Sequence, residues 1–252
     1  MTNEATAVSN PRAPGLAGQI VVVIGGSAGI GLETARRARR EGADVVLAAR
    51  NPERLEAAAL ELGAKSTASF DANDPAALAR FFDELPMPID HVLVTGPGPH
   101  YKPPLEMDVD EARAALGGHM VLTLAVARNA RDRVKPTGSL VFIGGTGGRR
   151  IRPGFEIVSA VTAGMPALTA SLALELAPIR VNLIAPGFVD TPLSASLLGD
   201  DLERRREELR STLPIGRVVG PADVAALAVH LMINTALTGA TYDIDGGQQF
   251  VD

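Results

Sequence analysis

From Gln19 onward, short apolar runs rich in β-branched residues alternate with longer alanine-rich stretches in which apolar positions recur at helical spacing. A short, continuously apolar run reads as a strand buried on both faces, and a 3.6-residue period reads as a helix laid against it. The runs place strands at about 19–24, 44–49, 66–70, 89–95, 138–143, 179–184 and 240–244, and helices at about 29–41, 52–62, 74–84, 108–133, 165–177, 195–210 and 221–232. This alternation is the pattern of βαβ units, which wind right-handedly into an α/β fold, a doubly wound parallel sheet of about seven strands with helices on both faces. In such a sheet the ligand crevice lies beyond the carboxyl ends of the strands. No internal repeat or inter-domain linker breaks the pattern, so residues 16–252 are expected to form one domain, preceded by a disordered, polar, Pro/Gly-rich tail over 1–15.

After the first strand comes Gly25-Gly-Ser27-Ala-Gly29-Ile30-Gly31, directly before a helix. Glycines there permit a tight turn and bring backbone N–H groups to a pyrophosphate at the helix N-terminus; the plainer alternative is an ordinary flexible turn. The second strand ends Leu47-Ala-Ala49-Arg50. A carboxylate near this point binds the ribose of the unphosphorylated dinucleotide, whereas an arginine pairs with a 2′-phosphate. Arg50 therefore favours NADP(H) over NAD(H), with a solvated arginine at the start of a loop as the alternative. Asp71, closing the third strand, is placed either to accept from an adenine amino group or to cap the next helix.

These motifs resemble those of the short-chain dehydrogenase/reductase family. The likeness rests on the Gly25/Gly29/Gly31 loop, on His91-Val-Leu-Val-Thr95-Gly96-Pro-Gly where the family has Asn-Asn-Ala-Gly, and on Arg180-Val-Asn-Leu-Ile-Ala-Pro186-Gly187-Phe-Val189-Asp-Thr191. Gly216-Arg to Asp223-Val and Thr238-Gly to Asp245-Gly-Gly extend it over about 16–250. The resemblance implies a single-domain Rossmann fold, often tetrameric, with Pro186, Gly187, Val189 and Thr191 turning back over the nicotinamide and a mobile lid at about 192–214. It also implies four catalytic positions: a tyrosine, a lysine four residues on, a serine thirteen before the tyrosine, and an asparagine on the preceding long helix. Aligning Gly138-Ser-Leu-Val-Phe-Ile-Gly-Gly145 on the family's fifth strand puts Gly145 at the serine, Val158 at the tyrosine and Thr162 at the lysine, with the asparagine near Gly118. A shift of register restores nothing, because no lysine follows Lys135 and the only tyrosines are Tyr101 and Tyr242. Gly164 and Pro166 stand where the family's helix runs unbroken, so the geometry around Val158 and Thr162 is expected to depart from the family's.

Reduction of a carbonyl needs a proton donor and hydrogen bonds to the developing oxyanion. His100, Tyr101 and Lys102 follow the fourth strand, and His119 lies beside the asparagine's expected place; His100 and Tyr101 are the substitute donors, solvent exposure being the ordinary alternative for a loop histidine. Thr146 and Ser159 offer only hydroxyls without a base, and Tyr242, in the last strand, reads as core or interface. Arg149, Arg150 and Arg152 line the approach after the fifth strand and point to an anionic substrate, or else form a solvated basic loop.

Composition narrows the field further. With 252 residues, 46% hydrophobic, the chain buries a sizeable core, and a net charge of -5 disfavours a nucleic-acid partner. Cysteine is absent, which excludes disulfides, thiolate catalysis and sulfur-held metals; no metal site is expected. The first 18 residues lack an apolar leader and no later run reads as membrane-spanning, so a cytoplasmic protein is expected. The segment from Ala167 to Ala177 is apolar or small on nearly every face, and the resemblance assigns its outer side to a dimer or tetramer contact. Two readings stay open: an NADP(H)-dependent oxidoreductase of carbonyl-type substrates with a non-standard site, and a cofactor-binding protein without catalysis that works as a sensor or partner subunit.

Overall fold

The computed structural model describes residues 15–86, 88–99 and 101–251. Seven strands, β1 (Ile20–Ile24), β2 (Asp44–Ala49), β3 (Ser66–Ser69), β4 (Ile89–Val94), β5 (Val134–Ile143), β6 (Arg180–Pro186) and β7 (Thr241–Ile244), form one parallel sheet in the order β3-β2-β1-β4-β5-β6-β7. The helices are α1 (Gly29–Arg40), α2 (Pro52–Leu62), α3 (Pro75–Glu84), α4 (Val109–Ala130), α5 (Glu156–Glu175), α6 (Pro192–Leu198), α7 (Leu202–Thr212) and α8 (Pro221–Ile233). This is the expected single-domain Rossmann-type α/β fold.

Successive strand residues point to opposite faces of the pleat, so each strand feeds two cores. Val22, Ile24, Val92, Val94 and Phe142 pack with α3, α4 and α5, while Val21, Val23, Leu93 and Val141 pack with α1, α2 and α8. The chain order reverses at β1, whose neighbours are β2 and β4, and the crevice opens at their carboxyl ends.

The tail expected over 1–15 lies outside the described residues except for Gly15, whose N–H donates to Glu41 at 3.0 Å, followed by the buried Leu16. Three other expectations need correction. The helix expected to 133 stops at Ala130, and β5 begins at Val134, where Lys135 pairs with the buried Asp90 at 2.7 Å. The single helix expected over 195–210 is two, α6 and α7, because Gly199 ends α6 at φ +51.

The largest correction concerns α5, which starts at Glu156 and runs through Pro166. A proline inside a helix removes one hydrogen bond and crowds the carbonyl four residues back, at a cost of about 3 kcal/mol. Ile157, Val161, Met165, Thr169 and Leu172 form a continuous buried stripe that outweighs it. Gly164 lets this helix approach α4 closely: a Cβ there would overlap Met120 Cε. At 20 residues and with a mean hydropathy of 1.7, α5 is also long and apolar enough to cross a membrane, contrary to the expectation from sequence, although in this fold its stripe lies against the sheet.

Candidate active site

Two recesses meet at the carboxyl ends of β1, β4, β5 and β6. The smaller, about 330 Å³, is built around the turn into α1. Gly25 takes φ +90, and a Cβ there would fall on Thr95 Oγ1; a Cβ on Gly31 would fall on the Gly25 carbonyl oxygen. Side chains are therefore excluded where the chain must turn tightly. The N-terminus of α1 is also chemically different from those of its neighbours. Asn51, Asp74 and Asp108 cap α2, α3 and α4 through their side chains, whereas Ala28 gives α1 no side-chain cap and its first turn holds no acidic residue. Ser27, Gly29, Ile30 and these N–H groups form a cradle suited to a pyrophosphate, and the residues present fit a dinucleotide.

Arg50 and Asp71 line the far end of this recess. Asp71 does not cap α3; Asp74 does, accepting from the Ala76 and Ala77 N–H groups at 2.9 and 3.1 Å. One carboxylate oxygen of Asp71 accepts from Asn73 N and Nδ2 at 2.9 and 3.1 Å. Asn51, Arg54 and Asn73 line the same end and were not singled out from sequence; Arg54 lies in the first turn of α2, whose N-cap Asn51 directly follows Arg50, and that proximity could have flagged it.

The larger recess, about 500 Å³, brings together Gly145, Val158 and Thr162. A Cβ on Gly145 would stand 3.3 Å from Thr162 Cγ2, and one on Gly147 would stand 2.7 Å from Val158 Cγ1, so the three positions face each other across the β5–α5 junction. The Thr162 hydroxyl donates to the Val158 carbonyl at 2.6 Å, and the Ser159 hydroxyl to the Gly147 carbonyl at 3.0 Å; both serve the local backbone. Ser159 does not reach the recess, whereas Thr146 does. Pro186, Gly187, Val189 and Thr191 line it on the β6 side, with Thr191 capping α6 through a reciprocal contact with Ser194. Gln248, missed in sequence, joins them by accepting from Phe188 N at 2.7 Å; nothing in its local sequence marks it. Thr95 lines both recesses and Gly96 only the smaller.

Of the substitute donors, Tyr101 lines the larger recess and His100 lies outside the described residues; His119 also lines the recess. Tyr101 is 46% exposed, and its partial burial raises the phenol above its usual pKa, against an opposing pull from Arg152 and Arg205. Lys102 is drawn away to Glu111 at 2.6 Å, and Gly118 does not line the recess. Tyr242 packs into the core beside α1 and α8. Arg150 and Arg152 line the larger recess as expected, but Arg149 is paired with Asp243 and does not; Arg205, on α7, takes its place. No group of side chains suited to a metal occurs among the described residues.

Residues 24–249 match the family model described as enoyl-(acyl carrier protein) reductase. The chain is 31% identical to human 3-oxoacyl-[acyl-carrier-protein] reductase over 243 residues, covering 92% of this chain and 99% of that one. It is 28% identical over 250 residues to the short-chain dehydrogenase/reductase malC of Malbranchea aurantiaca, covering 92% and 95%. Among solved structures, the MalC reductase/Diels-Alderase of that organism superposes with a TM-score of 0.87 at 25% identity, covering 94% and 99%. A small-chain dehydrogenase in complex with NADPH superposes at 0.79 with 27% identity, covering 92% and 99%.

Proposed function

The chain belongs to the short-chain dehydrogenase/reductase family, and on that premise we propose that it is an oxidoreductase acting with NADP(H) on a carbonyl-type group of a small substrate. The observation that carries this reading is the continuity of the two recesses, which share Ile30, Thr95, Pro97, Gly98, Thr191 and Leu193. One elongated cleft thus runs from the Arg50 end, past the glycine cradle, to the β5–α5 junction, as a dinucleotide with a substrate beside it requires.

When bound, the nicotinamide cofactor supplies the hydride. The α1 N-terminus would hold the pyrophosphate, Arg50 and Arg54 the 2′-phosphate, Asp71 the adenine, and Val189 and Thr191 the carboxamide side. Gly145, Val158 and Thr162 take the family's serine, tyrosine and lysine positions and bring no proton. Tyr101 gives it instead: its Oη donates to the substrate oxygen as negative charge develops there, and solvent returns the proton. Because burial raises the phenol's pKa, it stays protonated through the neutral range but is a weak acid. Acceptors that demand little proton donation, such as quinones or iminium ions, are favoured over simple ketones. By family membership the chain is also proposed to assemble as a dimer or tetramer through the outer sides of α4 and α5.

The test is NADPH oxidation against a panel of carbonyl, quinone and imine acceptors, repeated with Tyr101→Phe. Turnover is expected, and in the variant it falls with carbonyl acceptors by less than the roughly 10² to 10⁴ of a well-matched acid, and hardly at all with iminium ions. Tight NADPH binding with no turnover across the panel would reject the reading in favour of a sensor or partner subunit.

A further inference from the structure

The larger recess is charged in one direction only. Among the described residues its lining includes Arg150 and Arg152 from the β5–α5 loop and Arg205 from α7, and it includes no aspartate or glutamate. Arg205 pairs with Glu208 at 2.8 Å, outside the lining, while no ion pair within the described residues engages Arg150 or Arg152. Arg152 is held in place nonetheless, its guanidinium 3.9 Å from the centroid of the Phe155 ring, which packs in turn on Tyr101 at 5.0 Å. The neighbouring Arg206 ties α7 to the chain after β6 through Asp190, at 3.0 and 2.7 Å, so Arg205 is presented on a fastened helix. Burial and the like charges of Arg150 and Arg205 all lower the pKa of Arg152, an unfavourable arrangement that a bound anion relieves.

Resting on the oxidoreductase reading, we propose that the substrate carries a carboxylate or phosphate group gripped between Arg152 and Arg205, with Arg150 adding to the field, and an apolar body lying among Phe155, Phe188 and Leu197. Guanidinium groups pair bidentately with both anions, and the two arginines come from different elements, so the anion also clasps α7 to the β5–α5 loop. An aryl or branched carboxylic acid or phosphate ester fits this combination of cationic grip and apolar wall.

Binding is measured by calorimetry without cofactor, using phenylglyoxylate, phenyl phosphate and the neutral methyl ester of phenylglyoxylate. At least one anion is expected to bind about 10-fold or more tighter than the ester, and to lose about that factor in Arg152→Gln and in Arg205→Gln. Arg149→Gln, which removes the arginine paired with Asp243, is expected to change nothing. Tighter binding of phenyl phosphate assigns the grip to a phosphate, and of phenylglyoxylate to a carboxylate. The proposal is overturned if neither anion outbinds the ester in the unmutated protein, or if Arg149→Gln weakens binding as much as the other two. Anion binding that survives alongside a complete lack of NADPH oxidation would count against the oxidoreductase reading alone.

Discussion

Arg50 follows β2 and is exposed to solvent, beside Asn51 and Arg54 in the smaller recess and without an ion-pair partner among the described residues. With no carboxylate at Ala49 or Arg50 to meet a ribose, NADPH is expected to bind more tightly than NADH by about 10- to 150-fold, the worth of a charge-assisted contact of roughly 1.5–3 kcal/mol. Arg50→Ala should erase most of that ratio, and equal affinities in the unmutated protein would refute it. His91 makes a prediction of another kind. Its ring is buried between Ser139 Oγ at 2.8 Å and Gln19 Oε1 at 2.7 Å. Burial chiefly, with Arg180 and Lys135 adding to it and Asp90 opposing, lowers its pKa from 6.5 to about 4. Between these values the unfolded chain binds the proton and the native protein does not, so stability rises with pH there, is fully present above about 6.5, and falls as pH drops toward 4. The loss is on the order of 3 kcal/mol. Urea unfolding at pH 7, 5.5 and 4.5 should show it, with a flatter profile in His91→Gln.

At the scale of elements, α5 makes the proposed placement of Gly145, Val158 and Thr162 at the family's catalytic positions testable. Because it is helical from Glu156 onward, Val158 and Thr162 lie one turn apart on the side facing Gly145. Gly145→Ser, Val158→Tyr and Thr162→Lys together are expected to raise carbonyl reduction with NADPH, bounded by the roughly 10²- to 10⁴-fold worth of positioned acid–base groups. Val158→Tyr alone should do little, since without a lysine the phenol keeps a pKa near 10. No gain in a folded, NADPH-binding triple variant over the unmutated protein or Val158→Tyr would overturn either this mapping of the site or the proposal that only these groups are missing. Pro166 also explains why α5 was only half legible: propensity ends a helix at proline, and only the buried stripe against the sheet and the close approach of Met120 at Gly164 sustain it.

At the scale of the whole molecule, α4 exposes Leu116, Val121 and Leu124, and α5 exposes Leu174 beside a row of alanines, Ala160, Ala163, Ala167 and Ala170. Two packed helices with small and apolar outer faces suit burial against another copy. Light scattering at micromolar concentration is expected to give a dimeric or tetrameric mass, and a monomer would contradict the assembly. The strand and helix alternation, the glycine turn before α1 and the lack of any lysine past Lys135 were all determined by the sequence alone, because period and residue type act between near neighbours in the chain. Which side chains share the cleft was not. Arg205 replaces Arg149 because Asp243, at the sheet's far edge, draws Arg149 aside; Gln248 arrives from beyond β7; and Asp74, not Asp71, caps α3. The first two of these are contacts between residues distant in the chain, and the local sequence around each residue carries no trace of the partner. The cap is local, but two aspartates competed for it, and the folded path of the β3–α3 turn settled which one meets the helix N–H groups.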